Sequence, residues 1–152
     1  MHNPLIAKQA TLEDLEDLSI LFNEYRIFYK QESDLEGAKR FLFERFEHRD
    51  AVIFIAKDNE MNKAIGFTQL YPSFSSVSMK RSWILNDLYV ADTYRKRGAA
   101  QLLLEAAELF AKYTKAKGLG LSTAIDNEQA QRIYERNGYK KNTDFYHYYL
   151  TL

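Results

Sequence analysis

The sequence of 152 residues contains no cysteine. A chain without cysteine has no disulfide framework, no thiolate metal site and no cysteine nucleophile. Acyl transfer through a thioester on the protein itself is therefore excluded. The three histidines, His2, His48 and His147, are too scattered to predict a metal site, and there is no G-x-S-x-G elbow or Ser-His-Asp grouping. Any catalytic side chains are then expected to be tyrosine and aspartate.

The sequence also lacks an excess of charge and a long apolar run. Lys plus Arg number 21 and Asp plus Glu number 21, so there is no global basic field of the kind used to bind nucleic acid or anionic membranes. No stretch approaches the ~18 apolar residues of a membrane span, and Met1 to Pro4 do not have the pattern of a secretory signal. We expect a cytoplasmic protein that binds neither nucleic acid nor membrane, and any anion site must be local.

Apolar and aromatic residues are abundant, and their periodicity predicts the fold. Hydrophobic residues make up 46% of the chain, with 10 Phe and 11 Tyr, which is enough for one core and favours a single domain over residues 1–152. Periodicity and turn signals predict the order β-α-α-β-β-β-α-β-α-β-β, a mixed α/β layered fold. Strands are expected at about 5–8, 51–56, 64–71, 81–91 and 119–124, with a final strand pair after about 138.

Capping residues and breakers set the expected element ends. Thr11 with Asp14 three residues later has the spacing of a helix N-cap, and a second helix is expected to begin at Asp34. Pro72 and the serines after it are expected to end the third strand. A long helix is expected over about 98–117, stopped by Gly118, with this stripe of helical period: Leu102, Leu103, Ala106, Leu109, Phe110 and Tyr113.

One loop carries the most informative pattern. A strand leads into three consecutive cations, and then small residues open a helix: Arg95, Lys96, Arg97, Gly98, Ala99 and Ala100. Free N–H groups and the positive end of the helix dipole would meet at one point, where the small side chains let a phosphate come close. The predicted ligand is a pyrophosphate. The alternative is that Gly98 relieves a tight turn and the cations are solvated.

This loop resembles the Q/R-x-x-G-x-G/A signature of the GCN5-related N-acetyltransferases (GNAT), with Ala100 in place of the commoner second glycine. The resemblance spans most of the chain. It implies a twisted, mostly antiparallel sheet that is splayed between strands 4 and 5 and flanked by helices. It also implies that the loop amides hold the pyrophosphate of acetyl-coenzyme A, and that the strand residues Leu88, Tyr89 and Val90 pair with its pantetheine arm.

A second segment, Asp126 to Tyr139, is similar to the family's N-x-x-A-x-x-x-Y-x-x-x-G-F/Y pattern. Asn127, Ala130 and Tyr134 form one stripe on a short helix. From the residues alone, Asn127 is an N-cap and Tyr134 a packed aromatic. The resemblance instead implies that all three contact the coenzyme, with Tyr134 next to its sulfur.

The chemistry of acetyl transfer assigns candidate roles. An attacking amine must lose a proton, the oxyanion needs a donor and the leaving thiolate benefits from a proton. Asp87 is the candidate for attracting the amine and accepting its proton through water, and Tyr134 is the candidate acid. A backbone N–H near Val90 is the candidate oxyanion donor. Asp87 has an alternative reading as a solvent-facing strand residue; Leu85, Asp87 and Tyr89 would share a face unless a bulge intervenes.

The amine acceptor is expected to be a small molecule. Residues positioned where the family builds its acceptor site are Tyr25, Arg26, Tyr29, Tyr71, Asn86 and Asp87, whereas Phe28 is interpreted as a core residue. The strand is most similar to the diamine and thialysine N-acetyltransferase branch, which commonly has two adjacent acids here. Because Asn86 replaces the first acid, an amine with one cationic end is at least as consistent.

Other interpretations stay open at this point. One alternative is a domain of the same fold that binds acyl-coenzyme A without catalysis, and another is an unrelated nucleotide-phosphate-binding protein that shares only the basic loop. The aromatic run from Phe145 to Tyr149 is typical of an edge or dimer strand, so a homodimer is a further expectation. No metal cofactor is expected.

Overall fold

The computed structural model describes residues 3–152, so Met1 and His2 lie outside the described residues. The chain divides into two compact units, one up to Leu121 and one from Ser122 onwards. Among residues 3–152, no helix combines the length and the apolar character needed to cross a membrane.

The first unit contains five strands and three helices. The strands are β1 (Leu5–Gln9), β2 (Val52–Asp58), β3 (Lys63–Ser75), β4 (Lys80–Val90) and β5 (Leu119–Gly120). The helices are α1 (Leu15–Phe28), α2 (Leu35–His48) and α3 (Ala99–Tyr113). Short 3-10 turns precede α1 and follow β4. The predicted caps are confirmed: Thr11 and Asp14 form a capping box, and the Asp34 side chain accepts from the N–H of Gly37.

The sheet has the order β1-β2-β3-β4-β5. The first three pairings are antiparallel and the last is parallel, which confirms the predicted mixed, mostly antiparallel sheet. β5 pairs with β4 only at Trp83 and Ile84. From Leu85 to Val90 this edge of β4 has no neighbouring strand within residues 3–152. The predicted splay between strands 4 and 5 is therefore present, at the end of β4 that leads into the anion loop.

Helices cover both faces of the sheet. Ile53 and Ile55 of β2 pack into one core with α1 and α2. Phe54, between them, points to the other face, where its ring lies 5.7 Å from Phe110 of α3. Trp83 of β4 also contacts Phe110, at 5.3 Å. Successive strand residues thus contact helices on opposite sides, as strand geometry requires.

A β-bulge in β4 decides which side chains face which helix layer. Gln69 pairs with Asp87 and Leu70 pairs with Leu85, so Asn86 is an extra residue on β4. Adjacent residues of β3 point to opposite faces. Leu85 and Asp87, which lie opposite Leu70 and Gln69, therefore also point to opposite faces. The alternative considered for an unbulged strand, in which they share a face, is wrong because of this extra residue.

Gly66 brings β3 unusually close to the end of β4. A Cβ at this position would lie 2.7 Å from the carbonyl oxygen of Tyr89 and 3.4 Å from Val90. Because the closest atom belongs to the backbone, it cannot rotate away. The absence of a side chain at Gly66 thus allows β3 to support the splayed end of β4.

Replacing Gly66 by alanine is expected to lower the free energy of unfolding by about 1–3 kcal/mol, since the strands must separate to admit the methyl group. Urea unfolding of the purified variant measures this loss. Gly120→Ala is the matched control, because nothing lies within 4 Å of a Cβ there. Equal stability of the two variants would show that the contact between β3 and β4 relaxes without cost.

Three predicted boundaries in the first unit are wrong. β3 continues through Pro72 to Ser75, because its pairing with β2 has already ended at Leu70 and a proline costs no ladder bond on that side. α3 ends at Tyr113, not at Lys117, because Lys115 takes the left-handed conformation that ends a helix. β5 is limited to two residues.

The buried stripe of α3 also differs from the predicted one. Leu103, Leu104, Ala107 and Ala111 are buried, whereas Leu109 and Tyr113 are exposed. The helix offers two apolar stripes, and contact with the sheet selects the one with small alanines. Small side chains let the helix lie close to the strands.

The second unit contains one helix, α4 (Glu128–Arg136). The side chain of Asn127 caps it by accepting from the N–H of Ala130 at 3.2 Å, and Gly138, with φ 93°, follows its end. Both features agree with the sequence prediction.

The two final strands predicted after Gly138 are not formed. No backbone-to-backbone hydrogen bond involves the stretch from 140 to 152 within the described residues. Tyr146, Tyr148 and Tyr149 are each more than 90% exposed. Alternation of apolar and polar residues makes a strand only where a partner strand supplies hydrogen bonds, and a lone two-stranded hairpin is marginal in water.

Candidate functional site

The loop between β4 and α3 adopts an unusual backbone conformation. Lys96 and Gly98 have φ of 63° and 88°, in the left-handed region. Arg95, which follows the 3-10 turn after β4, is extended. Alternation of this kind turns successive N–H groups toward one side and forms an anion-binding concavity. A Cβ on Gly98 would meet nothing within 4 Å. The loop is therefore open where the predicted pyrophosphate would approach.

The amides at the head of α3 are not bonded to other parts of the described chain. The N–H groups of Gly98, Ala99 and Ala100 have no acceptor within residues 3–152. The first turn of α3 also contains no acidic residue, unlike the first turns of α1, α2 and α4. No side chain of the first turn therefore neutralises the positive end of the helix dipole, and these groups suit a diphosphate.

The three cations of the loop are not equivalent. The guanidinium of Arg95 donates to the carbonyl of Val90 and to Asp92, both at 3.1 Å, and lies over the rings of Phe28 and Tyr89. Arg95 therefore ties the loop to the end of β4. Lys96 is exposed, so it contributes a mobile positive charge beside the helix head.

Tyr94 connects the same loop to the turn between β2 and β3. Its hydroxyl donates to the buried carboxylate of Asp58 at 2.8 Å, and Asp58 also accepts from the N–H groups of Glu60 and Met61. The guanidinium of Arg97 covers the Tyr94 ring at 4.7 Å. The hydrogen bond from Tyr94 lowers the pKa of Asp58, and the same bond raises the pKa of Tyr94. The turn between β2 and β3 thereby holds the anion loop in place.

Tyr94→Phe is expected to lower stability in a pH-dependent way. A lowered Asp58 pKa means that the bond stabilises the fold above the ordinary value of 3.8 and is lost as pH falls through the folded value. A raised Tyr94 pKa means that it is also lost as pH rises above the ordinary value of 10.0. The difference in unfolding free energy between parent and variant is therefore largest between these limits, and urea titrations at several pH values measure it.

Tyr113→Phe serves as the control for this experiment, because Tyr113 is exposed at the end of α3. It is expected to match the parent at every pH. A stability difference for Tyr94→Phe that persists unchanged at acidic pH would contradict the role of the Asp58 carboxylate.

Asp87 is buried and hydrogen-bonded, so the solvent-facing alternative is wrong. Its side chain is 6% exposed. Nε2 of Gln69 donates to its Oδ2 at 2.8 Å, and Nδ2 of Asn86 lies 3.2 Å from both carboxylate oxygens. The hydroxyl of Thr68 donates to its backbone carbonyl at 2.8 Å. Two neutral amides thus hold a carboxylate inside the sheet layer.

Tyr71 lies beside this carboxylate. Burial raises the pKa of Tyr71 to about 12, and the charges of Asp87 and Asp50 add to the rise while Arg45 opposes it. The phenol therefore keeps its proton across the range in which an enzyme works. It can act as a hydrogen-bond donor next to Asp87, but not as a base.

Two of the tyrosines predicted to bind the acceptor, Tyr25 and Tyr29, lie on α1 and at its end, on the same side of the sheet as Asp87; Tyr71 is on β3, near Arg45 and Asp50 at the end of α2. Phe67, Gln69 and Tyr71 alternate along β3 and share that face. The ring of Tyr25 lies 5.7 Å from Phe67, 6.0 Å from Tyr89 and 5.1 Å from Tyr29. This aromatic cluster therefore neighbours the carboxylate along the strand. The hydroxyl of Tyr89, which belongs to this cluster, donates to the carboxylate of Glu24 at 3.3 Å. Burial raises the pKa of Tyr89, and the charge of Glu24 adds to the rise.

Near the end of α1, Phe28 differs from expectation. Phe28 was expected in the core, but 58% of it is exposed and Arg95 lies over its ring. Arg26 donates to the carbonyl of Glu32 at 3.1 Å and lines a groove of about 410 Å³ between α1 and α2. Arg26 thus lies between α1 and α2, and its part in acceptor binding stays a prediction.

Sequence reasoning missed Gln69, Tyr94 and Asp58. Tyr94 and Asp58 are 36 residues apart, and nothing in their local patterns predicts that they meet. Gln69 had a usable signal, because a glutamine in the middle of a strongly apolar strand needs a partner. Among residues 3–152, no group of three or more potential metal ligands is present.

In the second unit, Tyr134 is half-buried on α4, and its ring lies 5.9 Å from that of Tyr139 in an edge-to-face arrangement. Asn127 and Ala130 are joined by the helix cap described above. The Oδ1 atom of Asn127 is therefore committed to the helix. Tyr134, Asn127 and Ala130 lie on one side of α4, as predicted from their spacing.

Comparison with known proteins gives consistent matches along the chain. The family described as Acetyltransferase (GNAT) family matches residues 15–139. The uncharacterized N-acetyltransferase YhfO of Bacillus subtilis (strain 168) is 50% identical over 145 residues, covering 95% of this chain and 96% of the relative. A "probable acetyltransferase" of Haemophilus influenzae (strain ATCC 51907 / DSM 11121 / KW20 / Rd) is 32% identical over 129 residues, covering 85% and 86%. A crystal structure of a "probable acetyltransferase" is 44% identical, with a TM-score of 0.92 over 96% of this chain and 97% of that one.

Proposed function

The chain belongs to the acetyltransferase (GNAT) family, and from this premise we propose that it transfers the acetyl group of acetyl-coenzyme A to the primary amine of a small molecule. That it is an N-acetyltransferase of GNAT type follows from the family and from the 50% identical relative. The finer proposal concerns the residues that act and the class of acceptor. Small-molecule amines are acceptors of homologues in this family.

The observation that carries the proposal is the set of unengaged amides at the head of α3. The N–H groups of Gly98, Ala99 and Ala100 have no protein acceptor within residues 3–152. Their number, the open space at Gly98 and the absence of an acid in the first turn fit the diphosphate of acetyl-coenzyme A. The open edge of β4 from Leu88 to Val90 supplies backbone groups for the pantetheine arm.

The reaction needs one bond formed and one broken. The amine nitrogen bonds to the acetyl carbonyl carbon, and the bond between that carbon and the coenzyme sulfur breaks. In our proposal Asp87 attracts the protonated amine and accepts its proton through water, and Tyr134 gives a proton to the leaving thiolate. A backbone N–H near Val90 donates to the carbonyl oxygen as negative charge develops there.

The surroundings of Asp87 favour a small acceptor with one cationic end. Asp87 is the buried acid on this face of β4, and its neighbour Asn86 is neutral. Two acids at these positions would suit a diamine, whereas one carboxylate beside the tyrosines Tyr25, Tyr29 and Tyr71 suits a single ammonium group held against aromatic faces. A lysine-like or amino-acid amine is therefore proposed ahead of a diamine, which remains in the test panel.

A thiol-release assay across acceptor classes tests the proposed function. Diamines, thialysine, free amino acids, aminoglycosides and peptides with a free N-terminus are each supplied with acetyl-coenzyme A. Turnover is expected with an amino-acid or lysine-like amine, and Asp87→Asn is expected to lose most of it. Activity that survives a chelator agrees with a reaction that needs no metal. No turnover with any acceptor would contradict the proposal.

We also propose that two copies of the chain associate through the aromatic segment Phe145 to Tyr149, whose exposure supports such an interface. Light scattering measures the mass in solution. A monomer at all concentrations would contradict this part of the proposal.

A further inference from the structure

Gln69 is a polar residue in the centre of the sheet. It is completely buried on β3 and lies opposite Asp87 on β4. Its amide nitrogen Nε2 donates to Oδ2 of Asp87 at 2.8 Å. Its amide oxygen Oε1 is buried and has no hydrogen-bond donor among residues 3–152. One end of this side chain is thus tightly bonded, and the other end is bonded to nothing in the described part of the chain.

The carboxylate determines which way the amide points. An ionised carboxylate only accepts hydrogen bonds, so the NH₂ end of Gln69 must face Asp87. The oxygen is then turned away, into surroundings without a donor. Leaving a buried acceptor unbonded costs free energy. An apolar side chain of similar length would avoid that cost, so the benefit of glutamine at this position lies at its nitrogen end.

The neighbours of Asp87 show why this nitrogen matters. No cation is hydrogen-bonded to its carboxylate among the described residues; its side-chain donors are the neutral amides of Gln69 and Asn86. The charges of Arg45 and Asp50, at the end of α2, act on the neighbouring Tyr71: Arg45 lowers its pKa and Asp50 raises it. The bond from Gln69 is the shortest that the carboxylate receives. Without it, the carboxylate would keep only the longer side-chain bonds from Asn86.

We propose that Gln69 is the positioning residue of Asp87: its amide N–H fixes the orientation of the carboxylate that accepts the proton of the amine. This inference rests on the role proposed above for Asp87. Gln69 acts through Asp87 and needs no contact with either substrate. The pH dependence of acetyl transfer is therefore where the loss of Gln69 is expected to be visible.

The test compares Gln69→Met and Gln69→Glu with the parent. Methionine keeps the length of the side chain and removes the donor. Glutamate replaces the donor by a second carboxyl group at hydrogen-bond distance, where two like charges repel each other. Thermal unfolding shows whether each variant folds. If one variant does not fold, the other still tests the inference.

Two readouts are measured. The acidic limb of the pH profile of kcat/KM is expected to move to higher pH, by about one unit in Gln69→Met and by more in Gln69→Glu. Activity on the acidic side of the limb then falls about tenfold, and it recovers at high pH. The titration of the Asp87 carboxyl is followed by NMR with ¹³C-labelled aspartate, and Asp87→Asn identifies its signal. This second readout needs no substrate.

Thr68→Val is the matched control. Thr68 is the buried neighbour of Gln69 and donates to the backbone carbonyl of Asp87, not to its carboxylate. It is expected to lower stability and leave both pH profiles unchanged. Coincident profiles for parent and both Gln69 variants would overturn the inference. A shifted Asp87 titration in a protein whose parent acetylates no amine would support the positioning role and overturn the proposed function instead.

Discussion

Replacing Ala100 by glutamate is expected to raise the KM for acetyl-coenzyme A about 10- to 100-fold while leaving the fold as stable as the parent or slightly more stable. An acid in the first turn interacts favourably with the helix dipole, by roughly 0.3–1 kcal/mol. The same carboxylate repels a diphosphate held by the adjacent amides, and about 1.4 kcal/mol corresponds to each tenfold loss of affinity. Stability and binding therefore change in opposite directions. Steady-state kinetics and urea unfolding measure the two effects.

The neutral variant Ala100→Gln separates charge from size. It has nearly the same shape as glutamate and is expected to lose much less affinity. The difference between the two variants should shrink as salt concentration rises, because the repulsion between exposed charges is screened. Equal KM values for Ala100→Glu and Ala100→Gln would show that the diphosphate binds away from the head of α3.

Tyr134→Phe is expected to lower kcat about 100-fold or more with a much smaller change in the affinity for acetyl-coenzyme A. The substitution removes one hydroxyl and keeps the ring that contacts Tyr139. General acid catalysis contributes about 10²–10⁴-fold to a rate. An interaction made mainly in the transition state lowers kcat and kcat/KM together. Thiol release under saturating and limiting coenzyme separates the two parameters.

Tyr148→Phe is the control for this prediction. Tyr148 belongs to the same unit of the chain and is almost fully exposed, so the same chemical change there is expected to leave kcat unaltered. If Tyr134→Phe turns over as fast as the parent, Tyr134 is not the acid, and the thiolate leaves without its help.

The local signals in the sequence were sufficient for much of the fold. Thr11, Asp34 and Asn127 cap the turns and helices at the predicted positions, because a short polar side chain before an apolar repeat acts through bonds within a few residues. Predictions that depend on distant partners were weaker. The continuation of β3 past Pro72 depends on where β2 ends, and the missing strands after Gly138 depend on a partner that the sequence does not specify.

The candidate site divides in the same way. Gly98 and the small residues after it could be predicted because the loop and the helix head are contiguous in sequence. The burial of Asp87 could not be predicted, since it depends on one extra residue in β4 and on Gln69 from another strand. The contact between Tyr94 and Asp58 joins two turns and leaves no trace in the spacing of either. Contacts between residues that are distant in the sequence can be identified only from the structure.

The extra residue at Asn86 separates β4 into two halves whose inward side chains face different helix layers. Before it, Trp83 and Leu85 serve the packing against α3; after it, Asp87 and Tyr89 face the α1 side. Side chains of the later half can therefore change without disturbing the packing of the earlier half. Deleting Asn86 would remove that independence, because every residue upstream would exchange its inward and outward orientation at once.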